Sequence, residues 1–309
     1  YRLKSYQEML KNPRSTVLFE KDLSSKMLAG SKTMGTDLKL WLTKADDVSK
    51  VELSSMLTKI VQIILAKLAN FIPGGGIWMN TQRPEWNDAN NALAGYGLSM
   101  VTLYYLYRMI SFLKKLIEAS ASESFALPQE TAVFLEEMFK LYKGTDPSTV
   151  QKWTDAAACK NRKAFVDIEG MLFQTQREAL YANGHSTTEE KLSKAELLEG
   201  FAVIMKHLEA TIDANKRPDG LYHAYNILHI SDDSMAVSDL TLMLEGQVAA
   251  LSSGYLSAKD VAQMTKALKA SPLYVADRNT YILYPDKELP LFWDKNNFAF
   301  EKIQNIPAV

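Results

Sequence analysis

VELSSMLTKIVQIILAKLANFIPGGGIW, residues 51–78, is the stretch on which the fold class turns. Leu53, Leu57, Ile60, Ile64 and Leu68 recur at three- and four-residue steps, the period of one helix face, and the polar residues between them fall on the opposite side. The spacing predicts a helix over 51–72. Pro73, Gly74, Gly75 and Gly76 then end it, since proline cannot continue a helix and glycine accepts the backbone geometry needed to leave one. Lys59 and Lys67 interrupt this apolar run and Arg108 interrupts the next, 98–113. Neither offers the ~20 uncharged residues that a bilayer crossing needs, so both read as buried helices.

The same period continues downstream. Residues 97–119 carry Leu98, Val101, Tyr105, Met109, Phe112 and Ile117 on one face. Further helices are signalled by their starts: Pro128 before AVFLEEMFKLY, Asp146-Pro147-Ser148 before TVQKW, the box Ser193/Glu196 before LLEGFAVIMKHLEATI, and Ser257/Asp260. Strand signals are confined to YILY, 281–284, so the expected class is all-α. No self-similarity recurs at the ~34 to 45 residues of a helical solenoid, which favours helical hairpins closed into a ring. No low-complexity linker divides the chain.

Composition narrows the partners. Of 309 residues 47% are apolar, enough for a sizeable core. Thirty-five basic against thirty-six acidic residues give a net charge of −1, so no summed field draws the chain to nucleic acid or an anionic membrane. One cysteine, Cys159, forms no internal disulfide and leaves the compartment open. The four histidines are scattered, with His185 and His207 reading as structural background, and neither paired His spacing nor a Cys cluster suggests a metal. Gly74-Gly75-Gly76 lacks the Lys and Ser/Thr of a nucleotide loop, so no cofactor is expected.

Three connections are richer in Gly, aromatic and charged residues than turns require: 74–92, 216–230 and 273–298. RPEWNDANNA, 83–92, sets Asp88 beside Trp86 and three residues from Glu85, surroundings that suit a carboxylic acid donating a proton to a leaving oxygen. Trp78 and Trp86 offer flat apolar faces for sugar rings, and Arg83, Asn87, Asn90 and Asn91 offer directional hydrogen bonds. The alternative is that Asp88 and Asn87 merely cap the following helix. In KRPDGLYHAYNILHI, Pro218-Asp219-Gly220 is a turn by its own chemistry, followed by Tyr222, His223 and Tyr225. Glu245, an acid next to Gly246 in an apolar stretch, is either a catalytic base or an ordinary surface residue. Asp219 and Asp277 compete with it from turn positions.

The run Glu85-Trp86-Asn87-Asp88 followed by Asn91 resembles the Asp-Trp-Asn-Asp-x-x-Asn segment of cellobiose and chitobiose phosphorylases, members of the (α/α)6-toroid, or six-hairpin, glycosidase superfamily. RPDGLYHAYNIL and YPDKELPLFWDKNN look like loops of bacterial relatives of that group. As an order of features the resemblance spans 70–298, and only the first motif is specific; Glu85 departs from it, standing where the phosphorylases have Asp. It implies that residues 1–309 form one α/α-toroid catalytic domain, an incomplete toroid lacking N-terminal helices and an upstream β-sandwich. It implies Asp88 as general acid in glycosidic-bond cleavage with inversion. The substrate would be an oligosaccharide or disaccharide, and the protein a soluble one of bacterial cytoplasm or periplasm.

Hydrolysis with Glu245 as base is the first expectation, phosphorolysis with bound phosphate in place of the base the second, and a non-catalytic sugar-binding toroid the third. Trp78, Arg83, Glu85, Trp86, Asn87 and Asn91 are the expected substrate contacts from the first connection. Arg217, Asp219, Tyr222, His223 and Tyr225 are those from the second. An inverting pair further requires the carboxyls of Asp88 and Glu245 to face each other at roughly 6.5 to 9.5 Å, and the segments 74–92, 217–226 and 273–298 to meet at one end of the helices.

Overall fold

The computed structural model describes residues 2–22, 24–25, 54–80, 93–184, 186–286 and 288–303. At its start β1 (Arg2–Leu3) pairs antiparallel with β2 (Val17–Leu18) around α1 (Tyr6–Lys11), which opens on a capping box of Ser5 and Glu8. Helix α2 (Met56–Leu68) buries Val61, Ile64, Leu65 and Leu68 on one face. It stops four residues short of the predicted Ile72. Phe71–Ile72 is instead a strand, β3, which turns back through residues 73–75 into β4 (Gly76–Trp78), pairing Phe71 with Ile77 and Ile72 with Gly76.

The Pro-Gly-Gly-Gly run is therefore the buried turn of a β-hairpin and not a helix terminator. Gly74 has φ +78°, and a Cβ there would collide with the Gln151 carbonyl oxygen; a Cβ on Gly75 would collide with the Leu98 side chain. Only glycine lets three segments approach this closely. A turn out of reach of water must find partners for its backbone groups. Arg162, fully buried, donates to Pro73 O (2.7 Å), Asn215 and Trp153 donate to Gly74 O (2.9 and 2.8 Å), Asn226 donates to Gly75 O (2.7 Å), and Gly74 N donates to Thr211 Oγ1 (3.1 Å). Arg162 also donates to Met235 O and Lys152 O, each at 2.6 Å. One guanidinium thus ties the turn to two other segments through backbone carbonyls.

The chain continues through β5 (Gly97–Ser99), α3 (Met100–Ala119), β6 (Ser124–Pro128), α4 (Gln129–Lys143) and, after a 3-10 turn at Pro147–Thr149, α5 (Ala156–Asn183). Then come β7 (Glu189–Ser193), α6 (Lys194–Ala214), β8 (Tyr225–Ile230), β9 (Met235–Asp239), α7 (Leu244–Ser252) and α8 (Ala258–Ala270). A small hairpin, β10 (Tyr274–Val275) and β11 (Thr280–Tyr281), follows. Helices α3 to α6 alternate in direction. The start of α5 and the end of α6 meet at the glycine turn, whereas the β6/β7 ribbon joins the end of α3 and the start of α4 to the end of α5 and the start of α6. Helix α3 packs on α6 and α7, and α4 on α5 and α6.

The all-α class, and the (α/α)6 toroid with it, is overturned by a five-stranded antiparallel sheet in the order β3-β4-β5-β8-β9, which makes the chain mixed α/β. Three of its strands are two or three residues long, too short for apolar alternation to register. Gly97-Leu98-Ser99 was absorbed into the helical period of the residues after it. Strands β8 and β9 are longer, joined through Ser231–Ser234, where the Ser231 hydroxyl accepts from Ser234 N. That Ser-Asp-Asp-Ser turn was a legible hairpin signal.

Candidate functional site

The site grows from the packing of α7 against the segment that leads into β8. Gly246 sits against the backbone of Ala224, where a Cβ would come within 2.9 Å of Ala224 Cα. Gln247 clamps the same segment from the helix side: its Oε1 accepts from Tyr222 N (2.9 Å) while Nε2 donates to Tyr222 O (2.7 Å) and to Met243 O (3.1 Å). Glu245 lies in the first turn of α7, where the helix dipole favours a negative side chain. Tyr225, buried in β8, donates its hydroxyl to Glu245 Oε2 at 2.7 Å. Leu244 N, one residue earlier, donates to Leu283 O (2.8 Å), which brings in the third connection.

The first connection reaches the same place. Leu93, Ala224, Tyr225 and Met243 form a small apolar cluster with Met79 and Ile227 against it. Strands β4 and β5 are paired, with Met79 N donating to Gly97 O and Gly95 N to Met79 O, both at 2.8 Å. Residues on both sides of 81–92 are thus fixed beside Tyr225. Arg83, Glu85, Trp86, Asn87, Asp88 and Asn91 lie outside the described residues. A cavity of about 410 Å³ opens next to this cluster, lined by Arg14, Leu93, Tyr96, Ile227, Leu228, His229 and Ile230. Its size falls within the usual range of small-molecule sites, and His229, bonded to Ser238 Oγ at 2.7 Å, gives it a polar wall.

No protein-family model and no curated protein matches this chain.

Several expected contacts take other roles. Trp78 is 4% exposed, and its indole N–H donates to Gly95 O (2.9 Å), so the ring is core and offers no face to a sugar. Tyr222 is likewise buried, edge-on to Tyr104, and burial together with Asp260 and Asp213 pushes its hydroxyl up to about 12. Arg217 and Asp219 satisfy each other across the turn at 2.9 and 3.1 Å, with Gly220 at φ +82° and Leu221 N donating to Asp219 Oδ1. Burial alone would raise the Asp219 carboxyl; the hydrogen bonds from Arg217 and Leu221 outweigh it and hold the group below the usual range. This is the turn-forming role.

His223 packs against Trp153 (5.4 Å between rings), and burial, with the Arg217 charge, lowers its pKa, so the neutral imidazole is favoured. Its Nδ1 has no hydrogen-bond partner among the described residues. Asp277 is exposed in the β10–β11 turn, 3.9 Å from Arg278. Gln247, which aims α7 together with Gly246, is a residue that the sequence reading misses. Their visible signal was a Gly-Gln pair directly after an acid in an apolar helix. Among the described residues no helix is long and apolar enough to cross a membrane, and no group of three or more His, Cys, Asp or Glu is placed to hold a metal.

Proposed function

We propose that this chain is a carbohydrate-active enzyme that cleaves a glycosidic bond with inversion, a glycoside hydrolase acting on a disaccharide or oligosaccharide. One observation carries the reading: Glu245, through Tyr225, stands in the cluster that anchors Leu93 and Met79, the described residues flanking the Asp88 segment. Described residues on both sides of 81–92 and Met243, two residues before Glu245, thus belong to one apolar cluster. The likeness of 85–91 to the phosphorylase motif supplies the acid. Asp88 gives its proton to the glycosidic oxygen as the C1–O bond breaks; a water attacks C1 from the opposite face and passes its proton to Glu245. The products are a free alcohol and a sugar of inverted anomeric configuration, and no other reactant is consumed.

The test is a screen of aryl glycosides and disaccharides with and without phosphate, with the anomer of the first product read by proton NMR. Inverted sugar released without phosphate supports the reading. Retained configuration, or a sugar phosphate formed only when phosphate is present, overturns it in favour of a nucleophilic carboxylate or a phosphorylase.

A further inference from the structure

Successive side chains of a strand point to opposite faces of its sheet. Along β8, Asn226 and Leu228 turn into the core, whereas Ile227 and His229 fall on the other face, beside Ser238 of β9, which is paired with Ile227. His229 Nε2 lies 2.7 Å from Ser238 Oγ, so the ring is fixed by its cross-strand neighbour. The facing wall is set by a glycine. Gly95 has φ +94°, and a Cβ on it would come within 2.7 Å of Pro13 O and 3.0 Å of Arg14 Cγ. Without that Cβ the segment 93–97 and the turn bearing Arg14 lie directly against each other. Leu228 N donates to Tyr96 O (2.8 Å), which ties this wall to β8, and the Arg14 guanidinium stands over the Tyr96 ring, 5.6 Å from its centre.

The cavity of about 410 Å³ between these walls is lined by one cation, Arg14, one imidazole, His229, and no carboxylate; the rest is aliphatic, with the Tyr96 ring. Among the described residues Arg14 has neither an ion pair nor a hydrogen bond. An unpaired guanidinium keeps its planar fork of N–H donors for a planar anion. A bare inorganic anion would leave the aliphatic walls without a partner, and an uncharged apolar molecule would leave the guanidinium without one. We propose that this cavity binds a small organic monocarboxylate, with its carboxylate on Arg14, its apolar body against Leu93, Ile227 and the Tyr96 ring, and His229 as a second polar contact. The site uses none of the residues assigned to bond cleavage and does not depend on the glycosidic reading.

The experiment is calorimetric titration of the full chain with three probes: sodium phenylacetate, its uncharged isostere phenylacetamide, and inorganic phosphate. Phenylacetate should bind with a Kd below about 1 mM and phenylacetamide at least about tenfold more weakly, the loss expected when a hydrogen bond between charged groups is removed. Phosphate should give no saturation below about 10 mM, because it fills none of the apolar wall. Arg14 and His229 are both exposed, so their replacement should leave the melting temperature unchanged. Arg14→Gln should weaken phenylacetate about ten- to a hundredfold and His229→Gln about two- to tenfold. Equal binding of acid and amide, unchanged affinity in Arg14→Gln, phosphate binding as tight as phenylacetate, or no binding of phenylacetate up to about 10 mM would each overturn the proposal.

Discussion

Glu169 and Glu245 are carboxylates on helices packed into the same molecule, one sealed in the interior and one half-buried at a helix start. Glu169, midway along α5, is fully buried; Tyr142 donates its hydroxyl to Oε1 (2.8 Å), and Oε2 has no partner among the described residues. Burial, only partly offset by that bond, pushes its pKa well above the usual range and favours the neutral carboxyl. Glu245 is half-buried at a helix start, receives the Tyr225 hydroxyl, and stands where three connections meet. Depth alone makes an acid neutral and inert. A position at the start of a helix, where segments meet, leaves one only half-buried.

The contrast is broken most directly by exchanging each acid for its amide. Glu245→Gln should lower turnover by about 10²–10⁴, the span of general-base catalysis, with little change in melting temperature, whereas Glu169→Gln should leave turnover within about twofold. Equal activity of the two variants would show that the junction confers nothing. The next effect concerns what holds the junction together. Arg162→Met strands the carbonyls of Pro73 and Met235 in the interior, and should cost about 3–5 kcal/mol in urea unfolding. A loss under 1 kcal/mol would mean that the glycine turn stands without its guanidinium.

Smaller changes sharpen the picture. Trp78→Phe removes the indole bond to Gly95 O and part of a buried ring, and should cost roughly 1–2 kcal/mol of stability while KM stays constant. A raised KM at unchanged stability would return Trp78 to the ligand. The smallest effect is the pH dependence of Glu169. Its folded pKa lies above its unfolded one, so its contribution to stability is complete below the ordinary glutamate value of 4.5 and is lost as pH rises toward the folded pKa. Glu169→Gln should flatten that decline and raise stability toward neutral pH, seen in denaturant melts from pH 4 to 8.

Much of the helical scaffold was legible. The Ser193/Glu196 capping box begins α6, Ser257 caps α8, and the apolar period of α2 puts Ile64 and Leu68 on its buried face, because those signals are local; in α3 the period was misplaced, since Tyr105 and Phe112 are exposed and the helix buries Leu103, Leu106, Ile110 and Leu113 instead. The sheet was not legible from β3, β4 and β5, since strands of two or three residues are stabilised by their neighbours and carry no pattern of their own. At the site, Glu245 drew notice as a polar residue in an apolar stretch, whereas Trp78 and Tyr222 drew it for ring chemistry that they use for packing.

Residue types near the chain connections determined which chemistry was available: carboxylates, aromatic rings and amides at 74–92, 217–226 and around Glu245. Local capping signals determined where α6 and α8 would begin, while the Asp146-Pro147-Ser148 start proved to be a short 3-10 turn and α5 begins later, at Ala156. Only the tertiary structure decided that Pro73 to Gly76 is a turn and not an end. A glycine run permits either, and the choice lay with Arg162, Thr211, Asn215 and Asn226, more than 80 residues away, which satisfy its backbone groups. Only the tertiary structure set Tyr225 against Glu245, because a hydrogen bond between side chains twenty residues apart depends on how a strand and a helix pack, and no local preference of either segment encodes that contact.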